Sequence, residues 1–355
     1  MAYQNVGTPR LFINEVLFYI KIGLGVEPDA TGYDNIDHSI FELNPSHQQT
    51  VPQGFTRITS PVPNSINYVA WLGHDFATTQ PNAYLWANGG LISGDEGNVN
   101  HPGTGFPWVA EYDGFSLQLF PETELTSLEV DFNPEGDHNP LGDAKIGSIS
   151  IGKYYTMPHS PELKLTMTRE MDGTKVIRTK GGNDLVNHRY TKPPLGGSAA
   201  PWELYSGTPT NQELSRSGRR SWDLRFNYLQ DSDVFGANQS IGNYQSTAWG
   251  GYYEPIYTGG GITGGATDTF EGYDITDLYN TSTQSFGFLD NLLTGDNFFS
   301  QVIHKTHGGQ LPFLFQPDNS NPDGFAIAKF DMNKFSFRQT APNMYSVKLK
   351  IREIW

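Results

Sequence analysis

The stretch Tyr345 to Arg352 sets the strictest condition on the fold. Tyr345, Val347, Leu349 and Ile351 alternate with Ser346, Lys348, Lys350 and Arg352, the period of a strand with one face in a core and one in water. Upstream, Lys334 to Arg338 repeats the alternation through Phe335 and Phe337. Between them Thr340-Ala-Pro-Asn343 supplies a turn, because Pro342 pre-sets φ and Asn343 tolerates a left-handed backbone. A hairpin is expected, fixed in a sheet rather than frayed.

Composition extends that expectation to the whole chain. With 355 residues there is room for two domains. Aromatic residues at 13%, 39 Gly, 23 Pro and only 17% charged residues fit many short strands joined by turns, so the expected class is all-β. The net charge of −15 opposes binding to a phosphate backbone, and sequence-specific nucleic-acid recognition is not expected. The chain has no cysteine, which excludes disulfides, thiolate nucleophiles and Cys-ligated metal centres. Leu11 to Leu24 is apolar but carries Glu15 and Lys21 and lacks a basic leader, so neither a signal peptide nor membrane insertion is expected.

Residues 1–143 read as a first domain, a jelly-roll sandwich. Leu11–Ile13 and Val16–Ile22 are expected strands around the polar pair Asn14-Glu15. Tyr68 to Leu72 is a continuous apolar run expected to be covered on both faces, and Ala83–Ala87 and Gly114–Phe120 follow. At the end of this unit, Asp131, Asn133, Glu135 and Asp137, with Gly136 at a sharp-turn position, imitate the start of a calcium loop. Gly142 stands where a bidentate Glu belongs, so a plain acidic interdomain turn is preferred to a calcium site. No cofactor is expected otherwise.

Residues 144–355 read as a second β-sandwich. Its expected strands are Lys145–Ile151, Leu163–Thr168 with Leu163, Leu165 and Met167 on one face, and Ser221–Tyr228 with Trp222, Leu224, Phe226 and Tyr228 inward. Asp172-Gly173 favours a hairpin turn that returns Thr174–Thr179 on the preceding strand. A Gly-, Tyr- and Asn-rich insertion, 236–285, has no sustained period. Its glycines lack the Lys-Ser/Thr of a phosphate loop, so it reads as an interaction arm. Trp249, Tyr252, Tyr253 and Tyr257 within it are candidate interface anchors, with sugar stacking as the other use of such rings. Residues 286–306 carry helical spacing, with Gly295 ending one helix and Asp296 capping a second; Phe298 and Phe299 in that second helix are further interface candidates.

No catalytic constellation emerges. His304 and His307 have ligand-like spacing but are followed by Gly308-Gly309 and read as a solvated helix end. His74 beside Asp75 has no serine in a nucleophile elbow. Glu162, Glu170 and Asp172 are acids without a reason to pair across a sugar. An enzyme is not expected.

The stretches Ile66-Asn-Tyr-Val-Ala-Trp-Leu-Gly-His-Asp-Phe76, Pro158-His-Ser-Pro-Glu-Leu-Lys164, Thr179-Lys-Gly-Gly182, Gly218-Arg-Arg-Ser-Trp-Asp-Leu-Arg-Phe226, Gly308-Gly-Gln-Leu-Pro-Phe313 and Lys348-Leu-Lys-Ile-Arg-Glu-Ile-Trp355 resemble pieces of tailed-bacteriophage virion proteins. The first unit resembles the galactose-binding-like jelly rolls of baseplate proteins, and the second resembles minor tail and distal-tail proteins. The resemblance implies a tail-tube-like β-sandwich with a long loop and a short helix pair. It further implies a location in the virion, assembly into a ring, commonly of six subunits, and contact with other tail or baseplate proteins. A carbohydrate-binding adhesin for surface glycans and a capsid decoration protein are the alternatives.

Overall fold

A computed structural model describes residues 6–22, 27–28, 38–43, 49–51, 54–59, 65–81, 83–92, 110–111, 113–125, 128–132, 144–170, 174–188, 219–235, 245–246, 251–252, 269–270, 273–274, 279–280, 285–286, 295–321 and 324–354. The class is all-β. In chain order the first strands are β1 Arg10–Asn14, β2 Glu27–Pro28, β3 Gln49–Val51, β4 Gly54–Thr59, β5 Ser65–His74, β6 Ala83–Ala87, β7 Gly90–Leu91, β8 Gly114–Glu124 and β9 Leu128–Phe132. They are followed by β10 Ala144–Ile146, β11 Ser148–Thr156, β12 Thr166–Glu170, β13 Thr174–Arg178, β14 Asp184–His188 and β15 Arg219–Gln230. Three two-residue ladders come next: β16 Gln245–Ser246 with β17 Gly251–Tyr252, β18 Thr269–Phe270 with β19 Tyr273–Asp274, and β20 Tyr279–Asn280 with β21 Ser285–Phe286. The last strands are β22 Phe313–Gln316, β23 Ala326–Phe330, β24 Phe337–Ala341 and β25 Met344–Glu353. Helices among the described residues are α1 Glu15–Ile22, a 3-10 helix His38–Phe41, α2 Phe76–Thr79, α3 Asp231–Val234 and a π-helix, Phe299–His304.

One antiparallel sheet dominates, in the order β12-β15-β25-β23-β22-β1-β11-β5-β8, with β24 also on β25. β25 is its hub: it pairs β15 along one edge and β23 and β24 along the other. The terminal alternation is realised as read, with Tyr345, Val347, Leu349 and Ile351 buried and Asn343 at φ 55° in the hairpin turn. The sheet is curled. Four strands lie between β23 and β8, so a flat sheet would separate them by about 24 Å, yet the rings of Phe115 on β8 and Phe325 just before β23 lie 5.3 Å apart. Inside the curl are Phe12, Tyr68, Leu72, Leu117 and Leu314. Outside, Val69, Trp71, Ile149 and Ile151 meet Leu85, Leu128 and Val130 of a five-stranded sheet ordered β2-β4-β9-β6-β7. β5 is therefore buried on both faces, as its apolar run required.

The boundary expected between residues 143 and 144 does not divide this sheet. β1 sits between β11 and β22, and β11 carries β5 on its far side. The polar stretch read as an interdomain turn leads from β9 of the five-stranded sheet to β10, which pairs with β3.

Several local expectations are corrected. Val16–Ile22 belongs to helix α1, not to a strand. The Asn14 carboxamide oxygen accepts from the Leu17 N–H at 3.1 Å, and its amide group donates to Phe41 O at 3.0 Å. Asn14 is thus the helix cap, and Glu15 opens the first turn at the positive end of the dipole. Tyr228 is not inward: β15 carries a bulge between Phe226 and Leu229, and Tyr228 stands 68% exposed at φ 63° while Leu229 takes the core position. Leu163, expected on one strand face with Leu165 and Met167, precedes β12 and is 82% exposed. In the π-helix the cap is not Asp296 but Asn297, whose side-chain oxygen accepts from Ser300 N–H at 2.9 Å; Asp296 instead bonds Lys153 at 2.8 Å. Phe286 lies in β21, and the helix expected at 288–294 falls outside the described residues.

The π-helix is held to α1 by a buried ion pair. Lys305 Nζ lies 2.7 Å from Glu15 Oε1 and 3.0 Å from Gln301 Oε1, and the charged side chains are 2% and 3% exposed.

Candidate assembly surface

Among the described residues β13 and β14 pair only with each other. The expected return of Thr174–Thr179 on the preceding strand is replaced: β12 pairs β15, and β13 pairs β14. The turn is built by Thr179 and Asn183, not by Asp172-Gly173, which lies outside the described residues. Thr179 N–H donates to Asn183 O at 2.8 Å, the Thr179 hydroxyl donates to the same oxygen at 3.0 Å, and Gly182 takes φ 82°. Arg178 and Asp184 close the ladder through an ion pair of 3.0 Å.

The hairpin is apolar on both sides. Val176 lies opposite Val186 and Ile177 opposite Leu185, and neighbouring residues in a strand face opposite ways. The four side chains are 42 to 60% exposed. A two-stranded hairpin is marginal by itself in water, and one with apolar pairs on both faces gains its missing burial only from a partner. The sequence did contain a signal. Val176-Ile177 and Leu185-Val186 are adjacent apolar pairs where one-sided burial would demand alternation. Met167 and Leu163, earlier in the chain, are also exposed.

The residues singled out from sequence are not brought together here. Tyr252 lies in β17, while Trp249, Tyr253 and Tyr257 fall outside the described residues. Phe298 is core rather than interface: it is buried against Tyr155 and Phe337, with centroids 5.6 and 6.4 Å away. Phe299 packs partly buried on the same cluster. Asp131 is a strand residue of β9, in register with Phe55 and Tyr84, and not the opening position of a loop. Asn133, Glu135 and Asp137 lie outside the described residues, among which no group of three or more His, Asp or Glu is placed to hold a metal. Glu170 is tied to Arg352, and Glu162 lies 3.5 Å from Arg225. His304 and His307 both pack edge-on against Phe18, at 5.3 Å.

The contact that most looks like chemistry is His74 with Ser116, joined at 2.7 Å between Nε2 and Oγ. Both are buried. Nδ1 accepts from Phe76 N–H at 3.2 Å, which leaves the proton on Nε2, pointing at the serine. A ring that donates to the hydroxyl cannot take its proton, so this is not a nucleophile and base. Asp75 does not orient the ring either, since its carboxylate accepts from Lys145 N–H at 2.7 Å and from the Thr79 hydroxyl at 3.1 Å.

Burial pushes His74 down to about 3. The unfolded chain takes up a proton below about 6.5 while the folded chain stays neutral until about 3. Stability is therefore fully present above pH 6.5 and falls by up to about 1.4 kcal/mol per pH unit below it. Urea unfolding at pH 7, 5.5 and 4.5 will show this slope, and His74→Gln will flatten it. An unchanged pH dependence in that variant would assign the slope to other groups, such as His304, which burial, His307 and Lys305 also push down.

No family model, curated protein or solved structure matches this chain.

Proposed function

We propose that this chain is a structural component of a bacteriophage virion, a tail or baseplate protein that works by assembling with copies of itself into a ring and with its neighbours in the particle. The observation that carries this reading is the β13–β14 hairpin, which has apolar pairs on both faces and, among the described residues, no strand beside it except its own partner. A protein that acts on a small substrate has no use for such an arm, whereas an assembling subunit uses one to reach the next subunit. The sequence resemblance to minor tail and distal-tail proteins supplies the particle. On this reading the protein turns over no substrate.

The test is the mass of the full chain by light scattering across a concentration series. The wild-type protein is expected to exceed its 39.5 kDa chain mass, reaching six times that value in a closed hexamer. Ile177→Thr with Leu185→Thr keeps β propensity and removes apolar area. It is expected to weaken association by about tenfold or more, from roughly 1.5 kcal/mol or more of lost burial, while the unfolding midpoint of the subunit stays within about 0.5 kcal/mol of wild type. A wild-type chain that remains monomeric throughout removes the assembly reading and leaves a monomeric glycan-binding module as the one to test on a glycan array.

A further inference from the structure

Formal charge is divided unevenly along the chain. Residues 1–143 hold three Lys or Arg against eighteen Asp or Glu, whereas residues 144–355 hold twenty of each. The entire net charge of −15 therefore belongs to the first 143 residues. In the remainder, cations gather on one surface. Residues directly opposite in an antiparallel pair share a face, and the register puts Arg225 opposite Lys348, Asp223 opposite Lys350, Arg352 opposite Lys329 and Arg338 opposite Ser346. The face of β15, β25, β23 and β24 that turns away from Trp222, Leu224, Val347 and Leu349 thus carries Arg225, Lys329, Arg338, Lys348, Lys350 and Arg352.

Three carboxylates answer part of this charge: Asp223 at 2.8 Å from Lys348, Glu162 at 3.5 Å from Arg225, and Glu170 against Arg352. Arg225 with Lys348 and Lys329 with Arg352 are like-charge pairs directly opposite one another; three of these four have the carboxylate partners just named, and Lys329, like Arg338 and Lys350, has no ion pair among the described residues. Like-charge pairs oppose sheet formation, and the strands they occupy need only a polar outer face. Covering the surface with carboxylates reverses that cost.

We propose that this cationic sheet face is the docking surface for the acidic first 143 residues of a second copy of the chain. The inference rests on the assembly reading and names the partner and the contact. The two surfaces are different patches: the cations lie on β15, β25, β23 and β24, and the exposed Glu122 and Glu124 lie on β8. A contact between two different patches is head-to-tail, which forms a ring where the rotation between copies closes. Opposed charge also speeds and orients the encounter.

The test is sedimentation velocity of the full chain at about 25 mM and about 500 mM salt, since charge contacts are screened over the higher range. Wild type is expected to associate more tightly at low salt. Lys350→Glu with Arg338→Glu, at two exposed side chains, is expected to weaken low-salt association about tenfold or more and to remove most of the salt dependence. Because it keeps its own acidic end, the variant in excess will cap wild-type assemblies and lower their mean mass. Association of wild type that is indifferent to salt, or a variant that associates like wild type, overturns the docking face while leaving the hairpin result standing. Failure of wild type to associate at either salt overturns the assembly reading itself. Binding of a fluorescent DNA duplex that the variant loses, with self-association unaltered, overturns the proposal in favour of nucleic acid.

Discussion

Replacing Lys305 with methionine will destabilise the protein by about 3–5 kcal/mol, the usual consequence of removing one member of a buried ion pair. The Glu15 carboxylate would remain where it is, 3% exposed in its side chain, having lost the ammonium 2.7 Å away. Gln301 cannot replace that ammonium, because it also loses a bond of 3.0 Å to Lys305. The location magnifies the effect. Glu15 opens helix α1 directly after β1, and Lys305 follows the π-helix, so the pair links two helices whose positions in sequence differ by 290 residues. Changing both partners, Glu15→Leu with Lys305→Met, will recover most of the loss, because no charge is then left buried. Urea unfolding with an unchanged m-value separates this outcome from a change in the unfolded state. A single variant within about 1 kcal/mol of wild type would show that water reaches the pair.

That ion pair also marks how far sequence reading extends. A one-sided strand announces itself, and β25 was legible because its outer residues are polar and its inner ones are not. Helix α1 was not legible as a helix. Its buried residues, Glu15 through Tyr19, are consecutive, so no 3.6-residue stripe separates a wet face from a dry one. The cue was Asn14, whose short amide favours an N-cap over a strand interior. Tyr228 was misplaced for a different reason. Alternation assumes one residue per position, and a bulge inserts an extra one without altering composition.

The candidate surfaces divide in the same way. Aromatic residues in the Gly-rich insertion are the most visible interface candidates in the sequence because Tyr and Trp favour interfaces. Phe298 illustrates the weakness of that criterion, since a ring at helical spacing packs inward as readily as outward. The hairpin is faint in the sequence because its four exposed residues are aliphatic and few, and because Asp172-Gly173 is a stronger turn signal than Thr179-Lys-Gly-Gly-Asn183. The cationic face could not be read at all before register was known. Lys329, Arg338 and Arg225 become neighbours of the β25 lysines only through strand pairing, although the uneven division of charge at residue 143 was countable from the start.

Gly152→Ala is expected to be the most damaging glycine-to-alanine change among the described residues. Gly152 lies in β11, opposite Asn14 of β1 and Tyr68 of β5. A methyl carbon there would stand 2.1 Å from the Ile13 carbonyl oxygen and 2.9 Å from both Glu15 N and Glu15 Cγ. Two of these atoms are backbone, held by the β1–β11 ladder and by the first turn of α1, so no rotamer change relieves the clash. Glycine is needed for the close approach of another chain segment. The cost should exceed about 4 kcal/mol, in the range reserved for identifiable steric failure. Gly181→Ala is the control: a methyl there meets nothing within 4 Å, and stability should move by no more than about 0.5 kcal/mol. Because the new methyl displaces Glu15, its effect will overlap with that of Lys305→Met. The double variant will lose less than the sum of the two, by about 0.5–3 kcal/mol. Strict additivity would mean that β11 yields to the methyl without moving Glu15, and would separate the crossing of β1 and α1 from the ion pair that Glu15 makes.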